Sequence, residues 1–230
     1  MAALRRDRGP GSRVAGPMSA NPLQTDVRFW ILSEALASYA SDADDPPLGS
    51  AEAVQAAVSL VLRGKEELEL LLIKRARSER DPWSGHMALP GGRRDPIDGS
   101  LEETAVRETE EETGVDLAHD GARLGALDPV APASVRLPRL TIHPFVFGVL
   151  HDATARVASR EVERVLWVEL ARLPGPEARG RVEIELPGGP RTFPCFHVGG
   201  EVVWGLTYRI LRQFLDRYPT DRLDPPAASG

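Results

Sequence analysis

Glu108, Glu111 and Glu112 crowd three carboxylates into one short stretch of the chain. On a helix turning 100° per residue they fall at about 0°, 300° and 40°, an arc of roughly 100° on a single face. Like charges at that spacing repel by roughly 0.2–0.5 kcal/mol per exposed pair, and by more once water is excluded, so the cluster calls for a compensating cation. Mg2+ suits it, being a hard ion that takes carboxylate oxygens and keeps water and substrate phosphate in its shell. Alone, a Glu-rich helix face is ordinarily a solvated surface. The surrounding sequence argues otherwise.

Ahead of the acids stand a short apolar segment, Met87-Ala88-Leu89, then Pro90-Gly91-Gly92 and a polar loop. Ser100 and Glu103 make a capping box and Gly114 a C-terminal cap, which predicts a helix over 101–113. Leu101, Ala105, Val106 and Thr109 fall between about 20° and 160° and face a core, while Glu103 and Glu110 point to solvent. The carboxylate stripe therefore borders the buried stripe, at the edge of a cleft.

Charge and composition narrow the function. The chain has 230 residues with a formal net charge of −6, and between Gly91 and Val115 eight acids face three arginines. The remainder is close to neutral, which fits neither a nucleic-acid groove nor an anionic membrane surface. No apolar run approaches the roughly 18 residues of a membrane span. A single cysteine, Cys195, excludes an internal disulfide and a CxxC site, and points to a reducing compartment such as the cytoplasm. Gly 21 and Pro 20 indicate a loop-rich domain.

Around the acidic helix the pattern is mixed. Residues 1–24 read as a disordered tail that lacks a signal peptide's apolar region, with Met18 as an alternative start. A helix is expected over 25–40, followed by a linker over 41–50. Residues 54–62 and 68–73 read as a hairpin, with further strands at 124–127, 140–150, 162–168, 182–186, 192–198 and 202–204. A last helix runs from about Thr207 to Tyr218, and 219–230 reads as a tail. Strands with helices at both ends predict a mixed-sheet α/β or α+β domain over 25–218.

The segment from Gly92 resembles the box of the Nudix hydrolase family: Gly, five residues, Glu, seven residues, then Arg-Glu-apolar-any-Glu-Glu-any-Gly-apolar. Arg107 through Val115 matches the second half, with Thr109 at the apolar position. In the first half Asp98 replaces Glu, and eight residues rather than seven separate it from Arg107, an insertion near Gly99 similar to the spacing of the coenzyme A diphosphatase branch. The resemblance implies a Nudix-type α/β/α sandwich with a mixed β-sheet. It also implies Mg2+ or Mn2+ held by Glu108, Glu112 and the Gly92 carbonyl, with Glu111 as a further ligand or the group that activates water, Arg107 orienting the glutamates, and Glu161 as an additional acid opposite the helix, ligand or base. Related enzymes are often dimers, so a homodimer is compatible with the resemblance.

The chemistry implied is hydrolysis of a diphosphate linkage by metal-activated water, in coenzyme A or a related nucleoside diphosphate derivative. ADP-ribose, dinucleotides, modified nucleoside triphosphates, or binding without cleavage are the alternatives. Arg75, Arg77, Arg80 and Arg93 are candidates for substrate phosphate. Gly85, Pro90, Gly91 and Gly92 fit the branch's upstream motif, whereas Leu89 stands in place of Phe and Asp81 in place of Arg. His86, in the pre-box loop, is a candidate substrate contact, and Trp83 and Trp204 could stack on a base or serve the core. His143 reads as a packed strand histidine. Cys195 reads as buried and inert, with no neighbouring base in view.

Overall fold

A run of β-branched and aliphatic residues makes β1 (Val54–Gly64), and the alternation of its side chains divides the molecule. Ala57 and Val61 pack into clusters with Leu101, Ala105 and Val115 on one side, while Leu60 and Leu62 join a larger cluster on the other. The computed structural model describes residues 21–37, 54–78, 84–132, 139–186 and 189–218. The expected tails over 1–20 and 219–230, the linker over 41–50, and Arg80, Asp81 and Trp83 lie outside those residues.

Nine further strands follow among the described residues: β2 (Leu68–Arg75), β3 (Met87–Ala88), β4 (Gly91–Arg93), β5 (Gly121–Ala126), β6 (Leu140–Val149), β7 (Val162–Glu169), β8 (Arg179–Leu186), β9 (Gly189–Val198) and β10 (Glu201–Trp204). The first seven strands form one mixed sheet in the order β3-β2-β1-β6-β5, with β4 paired to β1 and β7 to β2. β1 and β6 run parallel through ten consecutive pairs, from Val54 opposite Leu140 to Arg63 opposite Val149. The other pairings are antiparallel. β8, β9 and β10 form a separate antiparallel sheet.

Helices cover both faces of the main sheet, as an α/β/α sandwich requires. α1 (Pro22–Thr25) and α2 (Val27–Ala37) precede β1. Phe29, Leu32 and Leu36 of α2 share a core with Leu60, Leu62, Leu70 and Leu72, and so do Ile210, Leu211 and Phe214 of the last helix. α3 (Leu101–Thr113) and the short α4 (Leu117–Asp120) cover the opposite face, and α5 (Gly205–Leu215) is the last helix among the described residues.

The helix expected from residue 25 differs in one respect. Asn21 caps α1 through a 3.0 Å bond from the Leu23 N–H, so residues 21–24, assigned to a tail by composition, are ordered. Asp26 then breaks the helix and accepts from the Arg28 N–H, and α2 begins at Val27. β4 and α4 were not expected, since a three-residue strand containing two glycines has no hydrophobic period to read.

Candidate active site

α3 begins and ends where its caps place it. The Ser100 side chain accepts from the Glu103 N–H at 3.0 Å, the Glu103 carboxylate accepts from the Gly99 N–H at 2.7 Å, and Gly114 closes the helix at φ 70°. Leu101, Ala105 and Thr109 are fully buried, whereas Glu103 and Glu110 are exposed. The buried hydroxyl of Thr109 lies 2.8 Å from Ser59 Oγ and 2.7 Å from the Ala105 carbonyl. A threonine is therefore satisfied where the family pattern has an apolar residue, a pairing across 50 positions that no local reading could find.

The three acids occupy three environments. Glu112 is 4% exposed, and its Oε2 accepts from the Gly91 N–H at 2.9 Å. Burial pushes its carboxyl from 4.5 up to about 7; the Gly91 bond and the Arg75 charge pull it down, and the Glu108 and Glu161 charges push it further up. Glu108 is raised too, first by burial, against the pull of Arg107 and with Glu111 and Glu161 adding to the rise. Its carboxylate lies over Gly92, where a Cβ would stand 2.5 Å from Oε1. Glu111 is the exposed member, with 58% of its side chain in solvent.

Arg107 joins these groups. Its Nε and Nη2 each donate to Asp98 at 2.9 Å, its Nη1 donates to Glu108 at 3.0 Å and Glu111 at 3.3 Å, and Nη2 also reaches the Arg93 carbonyl at 3.4 Å. Asp98 is buried and also accepts from Thr104 Oγ1 and the Asp95 N–H, both at 2.9 Å. The Arg107 guanidinium lowers the Asp98 carboxyl from 3.8 to about 2, and Asp98 in turn raises Arg107. The extra residue at Gly99 is thus accompanied by a shorter acid that still meets the guanidinium with both oxygens.

Glu161 stands just before β7 and is brought to the site by the loop ahead of it. The Arg156 and Ala158 N–H groups donate to the Thr113 and Glu112 carbonyls at 2.9 and 3.1 Å, and the Glu161 carbonyl accepts from the Ala76 N–H at 2.7 Å. The loop therefore satisfies carbonyls at the end of α3 and delivers an exposed acid whose charge is felt by both Glu108 and Glu112. Arg75 lies at the end of β2, with its charge on Glu112. His86 packs edge-on against Trp204, ring centroids 5.0 Å apart. The side chains of Arg93 and Arg77 are exposed.

The donor set is oxygen only, partly buried and mutually repulsive, which fits a divalent cation by chemistry. Among the described residues no three His, Cys, Asp or Glu side chains are gathered closely enough to enclose one as they stand. Glu108 and Glu111 are turned to Arg107 and Glu112 to Gly91, so a cation would compete with those bonds.

Two bland expectations fare differently. His143 is half-buried in β6 opposite Ala57. Cys195 is buried, and burial raises its thiol, but a base does stand beside it: His197 Nε2 is 3.6 Å from its sulfur. Residues two apart share a strand face, and that spacing was the available signal.

Comparison with known proteins agrees with this geometry. The NUDIX domain profile matches residues 53–185. Mitochondrial coenzyme A diphosphatase NUDT8 of Homo sapiens is 35% identical over 126 residues, covering 54% of this chain and 51% of that protein. Peroxisomal coenzyme A diphosphatase ndx-8 of Caenorhabditis elegans is 35% identical over 135 residues, covering 57% and 55%. The chain thus spans about half the length of these curated relatives. They are named for mitochondria and peroxisomes rather than for the cytoplasm expected from cysteine content. A MutT/nudix family protein from Enterococcus faecalis shares the fold, with a TM-score of 0.51 at 18% identity over 80% of this chain and 72% of that one. With its box helix, its mixed sheet and a profile match over more than half its length, the chain belongs to the NUDIX domain family.

Proposed function

We propose that the protein hydrolyses a diphosphate linkage in coenzyme A or a related nucleoside diphosphate derivative, using Mg2+ or Mn2+. The observation that carries the reading is Glu112, a buried carboxylate on α3 that accepts from the Gly91 N–H at 2.9 Å, with Glu108 beside it over Gly92. Glu108, Glu112, Glu111 and the Gly92 carbonyl would hold the ion. When bound, it lowers the pKa of water and neutralises charge on the phosphates.

The chain's own groups supply the rest. Glu111, the acid most open to solvent, accepts the proton of the attacking water, with Glu161 bordering the same space. Arg107 orients Glu108 and Glu111 while Asp98 fixes Arg107. Arg75, Arg93 and His86 border the substrate. The names of the two relatives support coenzyme A as the first substrate to test, and so do the upstream residues Gly85, Pro90, Gly91 and Gly92.

The test is a panel of coenzyme A, ADP-ribose, a dinucleotide and a modified nucleoside triphosphate, with and without Mg2+, on wild type and Glu112→Gln. Cleavage of coenzyme A that requires Mg2+ and falls roughly 100-fold or more in the variant is expected. Cleavage of ADP-ribose alone would replace the substrate and keep the mechanism. Hydrolysis indifferent to Glu112 would overturn the mechanism, and no hydrolysis of any of the four would overturn the whole reading.

A further inference from the structure

The three-stranded sheet brings an aromatic cluster to the pre-box loop. Trp204, the last residue of β10, stands opposite Cys195 of β9. Its ring meets His86 edge-on at 5.0 Å and Phe193 at 5.2 Å with a tilt of 41°. All three side chains are half-buried, so the cluster forms a wall with accessible ring surface rather than a sealed core. Phe193 and Trp204 lie beyond the residues that the NUDIX profile matches, so the wall is built largely by this chain's C-terminal part.

Two consecutive residues of β2 hold the wall and the acids in one frame. The Lys74 ammonium reaches the Glu201 carboxylate of β10 at 3.1 Å, three residues before Trp204. The Arg75 N–H donates to the His86 carbonyl at 3.0 Å, and the Arg75 carbonyl accepts from the Gly85 N–H at 3.1 Å. Lys74 thus ties β10 to β2, and Arg75, next to a register shift of β2 against β7, holds the His86 loop by its backbone while its charge acts on Glu112.

Resting on the diphosphatase reading above, the geometry points to a base-stacking subsite in which His86, Phe193 and Trp204 receive the heteroaromatic base of the nucleotide while its diphosphate lies by Arg75 and Glu112. A cationic and carboxylate-lined site tied directly to an aromatic wall matches a ligand that joins a polyanion to a flat ring. Stacking on such a wall depends on the ring's face, so it holds a base without reading its edge.

The test is calorimetric titration of the full chain, in Mg2+, with ADP and with inorganic pyrophosphate. Trp204→Ala weakens ADP roughly tenfold and leaves pyrophosphate unchanged, whereas Trp204→Phe stays within about threefold of wild type. His86→Ala weakens ADP alone, and Trp30→Ala, at an exposed site on α2, changes neither. Should Trp204→Ala fail to fold by circular dichroism, Trp204→Leu against Trp204→Phe takes its place. Unchanged ADP affinity in the truncated variant, equal weakening of both ligands, or no ADP binding by wild type overturns the subsite. Absence of Mg2+-dependent hydrolysis of any nucleoside diphosphate derivative by wild type overturns the diphosphatase reading instead, so the two failures are distinguishable.

Discussion

Asp98 and Arg107 face each other through two hydrogen bonds of 2.9 Å, and the same guanidinium holds Glu108 and Glu111 with its remaining nitrogen. The acidic face of α3 is thus held from behind by a buried carboxylate.

That pair has a pH signature. A carboxyl lowered from 3.8 to about 2 contributes stability that is present above pH 3.8 and lost as pH falls through 2, about 2 kcal/mol in all. Asp98→Asn should lower stability at pH 7 by about 3 kcal/mol, because it leaves Arg107 without its buried counter-charge. Urea unfolding at pH 5, 3 and 2 should show a flatter acid limb in the variant. An unchanged limb would mean that Asp98 is not the titrating group.

Glu112 has the opposite sign. Its raised carboxyl gives stability that is present below pH 4.5 and lost as pH rises through about 7, about 3 kcal/mol across that window. In the absence of divalent cations Glu112→Gln should therefore melt higher than wild type at pH 8.5 and nearly equal to it at pH 4.5, although it loses hydrolysis. A variant less stable than wild type at pH 8.5 would contradict this.

Cation binding should release the same proton. Mn2+ affinity is expected to climb between pH 6 and 7.5 and then level, with a proton release at pH 6 that calorimetry in buffers of different ionisation enthalpy can count. Equal affinity at pH 6 and 8 would separate the ion from Glu112.

Gly91 and Gly92 should respond differently to alanine. At Gly92 the added methyl meets the flexible end of Glu108, so Gly92→Ala should fold with nearly wild-type stability and lose at least tenfold in hydrolysis. At Gly91, where φ is 147° and the methyl would run into the Ala57 and Val58 backbone, the same change should cost roughly 2 kcal/mol or more in unfolding free energy. Thermal melts beside rate measurements distinguish the two.

Arg63 provides a control away from the chemistry. Its guanidinium donates to Glu69 at 2.6 and 2.9 Å and to the Ala153 carbonyl at 2.7 Å, and it lies 4.1 Å over the Trp167 ring. Arg63→Met should cost about 2 kcal/mol, since it strips a half-buried carboxylate and a carbonyl of their main donor. The KM of the folded fraction should not move.

The acidic helix was legible because its information is local: Ser100, Glu103 and Gly114 mark its ends, and the three glutamates follow its period. The long strands were legible from their apolar runs. What sequence could not supply was partnership across the chain. Ser59 beneath Thr109 and Gly91 donating to Glu112 come from sheet register or side-chain direction, and β4 exists only because Gly91 and Gly92 lie flat against β1. The pre-box loop was the weakest reading. His86, a candidate substrate contact by position, also meets Trp204 from the far end of the chain.

The parallel pairing of β1 with β6 also sets an order of assembly. The acidic helix lies between them in sequence, and its buried face rests on both Ala57 and Phe145. On the ribosome, the carboxylates emerge well before the second half of the floor on which they must settle, and closing that long loop is a slow, entropically costly step. Hydrolytic competence should therefore arrive late in synthesis, and a fragment that ends between Val115 and Val149 would carry every residue of the box without the means to assemble it.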